Sequence, residues 1–310
     1  MKFRQLFILL VFIIIVGFFS ACTMQGQEHP QIKKIKVITT LFPLYDISKN
    51  IGADKAEVSL LLPPGVEAHS FEPKPGDILK INEADVFVYT GKFMEPWAED
   101  VIKGTVNRNM IVVDASRGTK MIPGVFHDVD EPVGSLDPHI WLDFDNAKIM
   151  VKNIVQAFQL KDSINKDFYE QKANDYINKL TEMDTLYKTT LVTCKDKEIV
   201  YGGHYAFGYM AKRYGLKYLV AQGVAPDAEP TANDLVKLVE QIKKDKIKYI
   251  FYEELTSPKI AKTIAGETNV KMLLLNAAHN LSSDQFDQGL SFFDILKRDL
   301  DNLKIGLECQ

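Results

Sequence analysis

From Lys34 onward the chain alternates between two rhythms of apolar residues. Short β-branched runs, "KIKVITT", "AEVSLLL", "DVFVYT" and "MIVVDAS", read as strands. Between or after them, "LYDISKNIG", "GDILKINEA" and "EPWAEDVIKG" carry the three-and-four spacing of amphipathic helices. The pattern returns after residue 196. There "KEIVYGG", "KYLVAQG", "IKYIFYEE" and "VKMLLL" read as strands, with helices expected around 205–213, 231–245, 257–268 and 284–303. Such alternation predicts an α/β protein of two lobes, each a parallel sheet flanked by helices.

Between the halves lies "NKDFYEQKANDYINKLTEMDTLYKTTLVT", free of Gly and Pro. Its apolar residues Phe168, Tyr169, Ala173, Tyr176, Ile177, Leu180, Met183 and Leu186 fall mostly three or four apart. One rigid helix over about 163–192 is expected, and at about 1.5 Å per residue it would measure roughly 45 Å. That is long enough to run the height of both lobes. Lobes joined by so stiff an element should rock slightly rather than close like a clamshell.

The first residues follow neither rhythm. "MKFRQLFILLVFIIIVGFFSAC" has a basic end (Lys2, Arg4), an apolar stretch from Leu6 to Phe19, and small residues before Cys22. That is the layout of an export signal, too short to span a bilayer comfortably, and its end resembles a bacterial lipoprotein signal with Cys22 as the lipidated residue. Polar "TMQGQEHPQIKK" follows as a flexible tether in which His29 is solvated. The expected divisions are a signal peptide at 1–21, a tether at 22–33, an N-terminal lobe at 34–160, an interlobe helix at 161–194 and a C-terminal lobe at 195–310. Loss of the signal leaves 35 basic residues against 41 acidic ones, a net charge of about −6, so nucleic acid is not an expected partner.

Three of the body's five histidines share an address. His69 follows "VSLLL" and its "PPG" turn, His204 follows "KEIVYGG", and His279 follows "KMLLLNAA". In open parallel sheets the ligand crevice lies outside the carboxyl ends of the strands, so all three project toward it. His139, in "SLDPHIWLDFDN", stands ahead of the interlobe helices and can reach the same cleft. Neutral imidazoles with few carboxylates suit zinc better than manganese, calcium or magnesium. The chain has no HExxH, no GxSxG and no phosphate-cradling glycine loop. Cys194 and Cys309 are either a disulfide or two separate cysteines, and no CxxC pair suggests a redox or cysteine–zinc site.

Taken together, the lipoprotein start, "LLPPGVEAHSFEPKPGD", "DPHIWLD", "GGHYAFGYMAKRYGL", "PDAEPTANDL" and the long middle helix resemble the metal-binding lipoproteins of bacterial ABC importers for zinc and manganese. The resemblance implies a metal held between two α/β lobes, with His69, His139 and His204 on three ligand positions. At the fourth, the residue aligned with a common Asp is Asn276, a poor ligand. Another branch has Glu three residues later, where this chain has His279, so His279 is expected to complete an all-histidine site. The resemblance also implies a Cys194–Cys309 disulfide. His127, in "VFHDVDEP", is expected to be a solvated loop residue with at most a weak accessory contact.

Phe207, Tyr209, Trp97 and Trp141 are expected to be packing residues. Asp143, Glu229 and Glu254 are candidates to orient the imidazoles, with surface or capping roles equally open. The function implied is a monomeric, lipid-anchored, extracytoplasmic receptor that captures Zn²⁺ and delivers it to a membrane permease without catalysis. The alternatives are a manganese or iron receptor of the same fold, a surface adhesin, and a zinc-dependent hydrolase.

Overall fold

A computed structural model describes residues 34–124, 136–223 and 230–310. The signal segment, Cys22, His29, His127 and Glu229 lie outside the described residues. The first lobe is built on β1 (Ile35–Thr39), β2 (Ala56–Leu60), β3 (Val86–Tyr89) and β4 (Ile111–Asp114), interleaved with α1 (Phe42–Gly52), α2 (Pro75–Glu83) and α3 (Ala98–Gly104). All pairs are parallel, in the order β2-β1-β3-β4, with Val37 opposite both Val58 and Val86. Central β3 is buried at every residue, because helices cover both faces of the sheet.

The chain then turns through a short 3₁₀ segment, Ile140–Leu142, into α4 (Phe144–Lys161). A second 3₁₀ turn at Ser163–Asn165 leads into α5 (Lys166–Leu191). The expected single helix over 163–192 is thus α5 with a tighter turn at its start. Its 26 residues span about 39 Å.

The second lobe repeats the plan. Strands β5 (Glu198–Tyr201), β6 (Lys217–Val220), β7 (Tyr249–Tyr252) and β8 (Lys271–Leu274) form a parallel sheet in the order β6-β5-β7-β8. Its helices are α6 (Gly208–Tyr214), α7 (Ala232–Asp245), α8 (Lys259–Thr268), α9 (Ser283–Asp287) and α10 (Phe292–Gly306). The helix expected over 284–303 is broken in two. Gly289 takes a φ of 70°, and Ser291 restarts the chain with a capping box to Asp294, so the break is written in local sequence. Helix α6 begins only at Gly208, because the residues before it belong to the His204 loop.

Helix α5 holds both lobes. The carboxylate of Asp46 on α1 accepts from Tyr176 Oη on α5 at 2.7 Å and from Phe292 N at the start of α10 at 3.3 Å. Tyr187 Oη donates to the Leu296 carbonyl at 2.6 Å. Tyr176 also packs on Phe293, and Tyr45 on Phe286, with ring centroids 4.9 and 5.4 Å apart. One apolar cluster runs unbroken from Val37 through Trp141 to Leu303. A disulfide joins Cys194, just after α5, to Cys309, just after α10.

Burial raises the Asp46 carboxyl, and its bonds to Tyr176 and Phe292 work against that rise. Removing a donor therefore leaves a buried carboxyl short of a partner. Tyr176→Phe should lower folding stability by about 1–3 kcal/mol, read as a shift in the urea midpoint at unchanged slope. A midpoint equal to that of the parent protein would mean the three-helix junction contributes nothing.

Candidate metal centre

Each site histidine sits on a loop that leaves the carboxyl end of a strand or enters a helix. His69 lies on the loop after β2, His204 follows β5 by three residues, His279 follows β8 by five, and His139 caps the 3₁₀ turn before α4. The two sheets bring these loops together. One nitrogen from each of the four rings lies within 4.8 Å of the others, the sole such group of metal-ligating side chains among the described residues. His139 Nε2 is 3.2 Å from His69 Nε2 and 3.1 Å from His204 Nε2. His139 and His204 are fully buried, His279 nearly so, and His69 is the most exposed of the four.

The protons of this cluster decide its chemistry. Asp137 Oδ1 accepts from the His139 backbone N–H at 3.0 Å and lies 2.7 Å from His139 Nδ1. Glu253 Oε2 lies 2.9 Å from His204 Nδ1. A carboxylate acceptor fixes the hydrogen on Nδ1, so Nε2 of each ring presents a bare lone pair. In that tautomer the two Nε2 lone pairs face each other at 3.1 Å. That contact is repulsive unless a cation sits among the nitrogens. Bonds of about 2.0–2.1 Å from zinc to four tetrahedral nitrogens would set them about 3.3 Å apart. The donor set and its spacing fit that ion.

Glu253 also stands near a second ring, its Oε1 3.7 Å from His279 Nε2 and beyond hydrogen-bond reach. Burial opposes its charge, but its attraction to His204 and the bond between them outweigh burial and hold the carboxyl below its usual value. In return His204 is raised: burial lowers it, and the Glu253 charge and hydrogen bond more than compensate. Burial and the charge of neighbouring rings hold His69 and His139 well below the ordinary imidazole value. The same two causes bring His279 down to about 4. Burial pushes Asp137 up to about 7.

Local sequence explains how the loops present these rings. Gly203 must lack a side chain, because a Cβ there would lie 2.8 Å from Glu253 Oε2 and 2.6 Å from the Tyr201 ring. Asn276, which the sequence rejects as a ligand, shapes the turn instead. Its Oδ1 accepts from Ala278 N at 2.7 Å and its Nδ2 donates to Glu254, while Ala278 takes a φ of 60° immediately before His279. First-lobe groups pin the same loop. Trp141 Nε1 donates to the Ala277 carbonyl at 2.7 Å, and Phe42 N donates to the His279 carbonyl at 3.2 Å.

The orienting carboxylates differ from two of those named by sequence. Asp143 caps α4 through Asp145 N and Asn146 N, and Glu254 holds Asn276 and Gln285. Asp137 and Glu253 do the orienting. The "DPH" spacing was a usable signal for Asp137, whereas Glu253 and Glu254 are adjacent, and only the exit direction of β7 decides which one faces the rings. Trp141 is a packing residue that also borders the site, its ring 5.4 Å from His139 and 6.4 Å from His279. Phe207 and Tyr209 are buried, and Tyr209 Oη donates to the Asp137 carbonyl at 2.8 Å.

Comparison with known proteins matches residues 37–306 to the model of a family described as the periplasmic component A of the zinc-uptake complex, ZnuA. The chain is 37% identical to the high-affinity zinc uptake system protein ZnuA of Bacillus subtilis, over 99% of this chain and 98% of that one. Among solved structures, the Zn(II)-bound ZnuA-like domain of Streptococcus pneumoniae AdcA is similar at 33% identity and a TM-score of 0.77, covering 89% of this chain and 100% of the other. The laminin-binding protein Lmb of Streptococcus agalactiae, described as bifunctional with adhesin and metal-transporting activity, is 30% identical with a TM-score of 0.78. That match covers 89% of this chain and 100% of the other.

Two outcomes are expected. Glu253→Gln should weaken divalent-ion binding by about 10–100-fold in a chelator competition while the fold survives, since it loosens the hold on the His204 ring. Lower pH should weaken binding through two groups before the others. His204 is raised and takes a proton as pH falls, and Asp137, at about 7, must ionise to balance a bound cation. The affinity should therefore drop as pH falls through about 7 with a release of one to two protons per ion, because burial and the neighbouring rings hold the remaining imidazoles well below their ordinary value. Calorimetry in buffers of different ionisation enthalpy measures that number, and a value near four would refute the proton assignment.

Proposed function

This chain belongs to the family of the periplasmic component A of zinc-uptake complexes, and from that membership we propose that it captures Zn²⁺ outside the cytoplasm and hands it to an ABC-transporter permease. The carrying observation is the group of four imidazoles with one nitrogen of each within 4.8 Å of the others, the Nε2 atoms of His69, His139 and His204 turned on one another. We assign His69, His139, His204 and His279 as the ligands. Four nitrogen donors close a tetrahedron and leave no position for a reactive water, which supports a receptor without catalysis over a hydrolase. Nitrogen donors throughout also favour zinc over manganese, whose affinity leans to oxygen.

Neutral rings add no charge of their own to the ion. The balancing charge comes from Asp137 and Glu253, one bond removed, so the ion is neutralised without a carboxylate in its coordination sphere. The finer parts of the reading are a lipid anchor at Cys22, a monomeric receptor and no nucleic-acid partner.

Elemental analysis of protein purified without added metal should find about one zinc per chain. His279→Ala should lose more affinity than the roughly 10–100-fold cost of a lost supporting carboxylate. His279→Glu should keep zinc and gain relative affinity for manganese, because an oxygen donor is harder. Unchanged zinc affinity in His279→Ala would remove His279 from the ligand set.

A further inference from the structure

Helix α6 connects the His204 loop of the second lobe to the His139 segment of the first. It starts just past Phe207, and the residues between are tied to their own lobe: Tyr205 N donates to the Gly223 carbonyl at 2.7 Å and Ala206 N to Tyr218 Oη at 3.3 Å. Ala206 and Phe207 are fully buried, so α6 is held in a fixed relation to His204. The helix packs on β6 of its own lobe and on the 3₁₀ turn Ile140–Leu142, which His139 caps.

Its bonds to the His139 segment come from one face, because Tyr209 and Arg213 stand a single helical turn apart. Tyr209 Oη donates to the Asp137 carbonyl at 2.8 Å and accepts from Ile122 N at 3.2 Å. Arg213 Nη1 donates to Asp143 Oδ2 at 3.2 Å and to Asp145 Oδ2 at 2.9 Å. Asp143 meanwhile caps α4 with its other oxygen, 2.9 Å from both Asp145 N and Asn146 N. His139 is thus bracketed by Asp137 before it and Asp143 after it, and both are held from the helix that leaves His204.

The rest of the guanidinium grips the spine. Arg213 Nε and Nη2 donate to the two oxygens of Asp184 on α5 at 2.8 and 2.6 Å, a paired fork that Tyr214 Oη supports by donating to the same carboxylate at 2.7 Å. The side chains of Arg213, Asp143 and Asp184 are 19, 18 and 20% exposed, so water screens them far less than an ordinary surface pair. Asp145 is 67% exposed and adds little. A planar cation with donors on two edges is what lets one side chain meet Asp184 and Asp143 together.

Given the zinc-receptor reading, on which this rests, we propose that Arg213 is a positioning residue that sets ion specificity. By joining α6 to α5 and to the start of α4, it holds the segments of His139 and His204 at one separation and keeps their Nε2 atoms near 3.1 Å. That spacing suits four short bonds in a tetrahedron and penalises an ion that needs longer bonds or more ligands. Without the guanidinium, the bonds of Tyr209 remain as a pivot, and the two rings gain the freedom to admit a larger coordination shell.

Co²⁺ serves as the probe, since its visible bands are intense in a tetrahedral site and weaken severalfold at higher coordination. The parent protein should give the intense bands. Arg213→Gln should weaken them and reduce the preference for Zn²⁺ over Mn²⁺ in chelator competition by about tenfold or more. Asp143→Asn keeps a capping oxygen for α4 but offers Arg213 no charge, so it should change the spectrum in the same direction at a nearly unchanged urea midpoint. The double variant should go no further than Arg213→Gln alone. Tyr214→Phe, which removes the other donor to Asp184, should lower the midpoint and keep the parent bands. Parent bands and parent ion preference in Asp143→Asn would overturn the proposal, even if Arg213→Gln fails to fold. Additive effects in the double variant, or a spectral change reproduced by Tyr214→Phe, would overturn it too, leaving the junction a general support of the fold. A parent protein that binds no zinc would instead reject the receptor reading itself, so the two failures are distinct.

Discussion

The site depends on where two hydrogens sit. With Asp137 and Glu253 holding the Nδ1 hydrogens of His139 and His204, the Nε2 atoms of these rings are left to face each other as lone pairs at 3.1 Å. With the hydrogens so placed the contact is unfavourable, and a cation among the nitrogens makes it favourable. Other features serve to keep the two rings from relaxing apart. Gly203 leaves room for Glu253, Tyr209 holds the Asp137 carbonyl, and burial denies the nitrogens water as a substitute partner.

A repulsive cluster needs a stiff frame. The lobes do not meet only through α5, because Asp46 bonds α5 and the start of α10 at once, and the apolar core is continuous across both lobes. The His279 loop is stitched to the first lobe as well, through Trp141 and Phe42, and Asn280 Nδ2 donates to the Pro63 and Val66 carbonyls at 2.8 Å. His279 therefore belongs to the second lobe by chain connection and to the first by its bonds. This favours small local movements over wide opening, in line with the stiffness expected of the middle helix.

Much of the fold was legible in the sequence because its signals are local. Parallel strands buried on both faces must be short apolar runs, and helices with one dry side must repeat every three or four residues, so the order and lobe count follow from periodicity. The break at Gly289 was equally local, yet the apolar spacing across it imitates one helix, and the period outweighed the glycine. The four histidines were visible as candidates because each stands just beyond a strand or ahead of a helix, and topology sends such loops to one place.

The partners of those histidines were not legible. Glu253 and Glu254 are neighbours of the same chemistry, and a difference of one residue at the end of β7 sends one to the rings and the other to Asn276 and Gln285. Asp143 and Asp137 both flank His139, and only the three-dimensional turn makes one a helix cap and the other an orienting group. By itself the sequence determined the two lobes, the spine and the residue types that cluster, since these follow from burial pattern and strand polarity. Tertiary structure alone decided which carboxylate holds which hydrogen, because that depends on distances of a few ångströms between segments far apart in the chain.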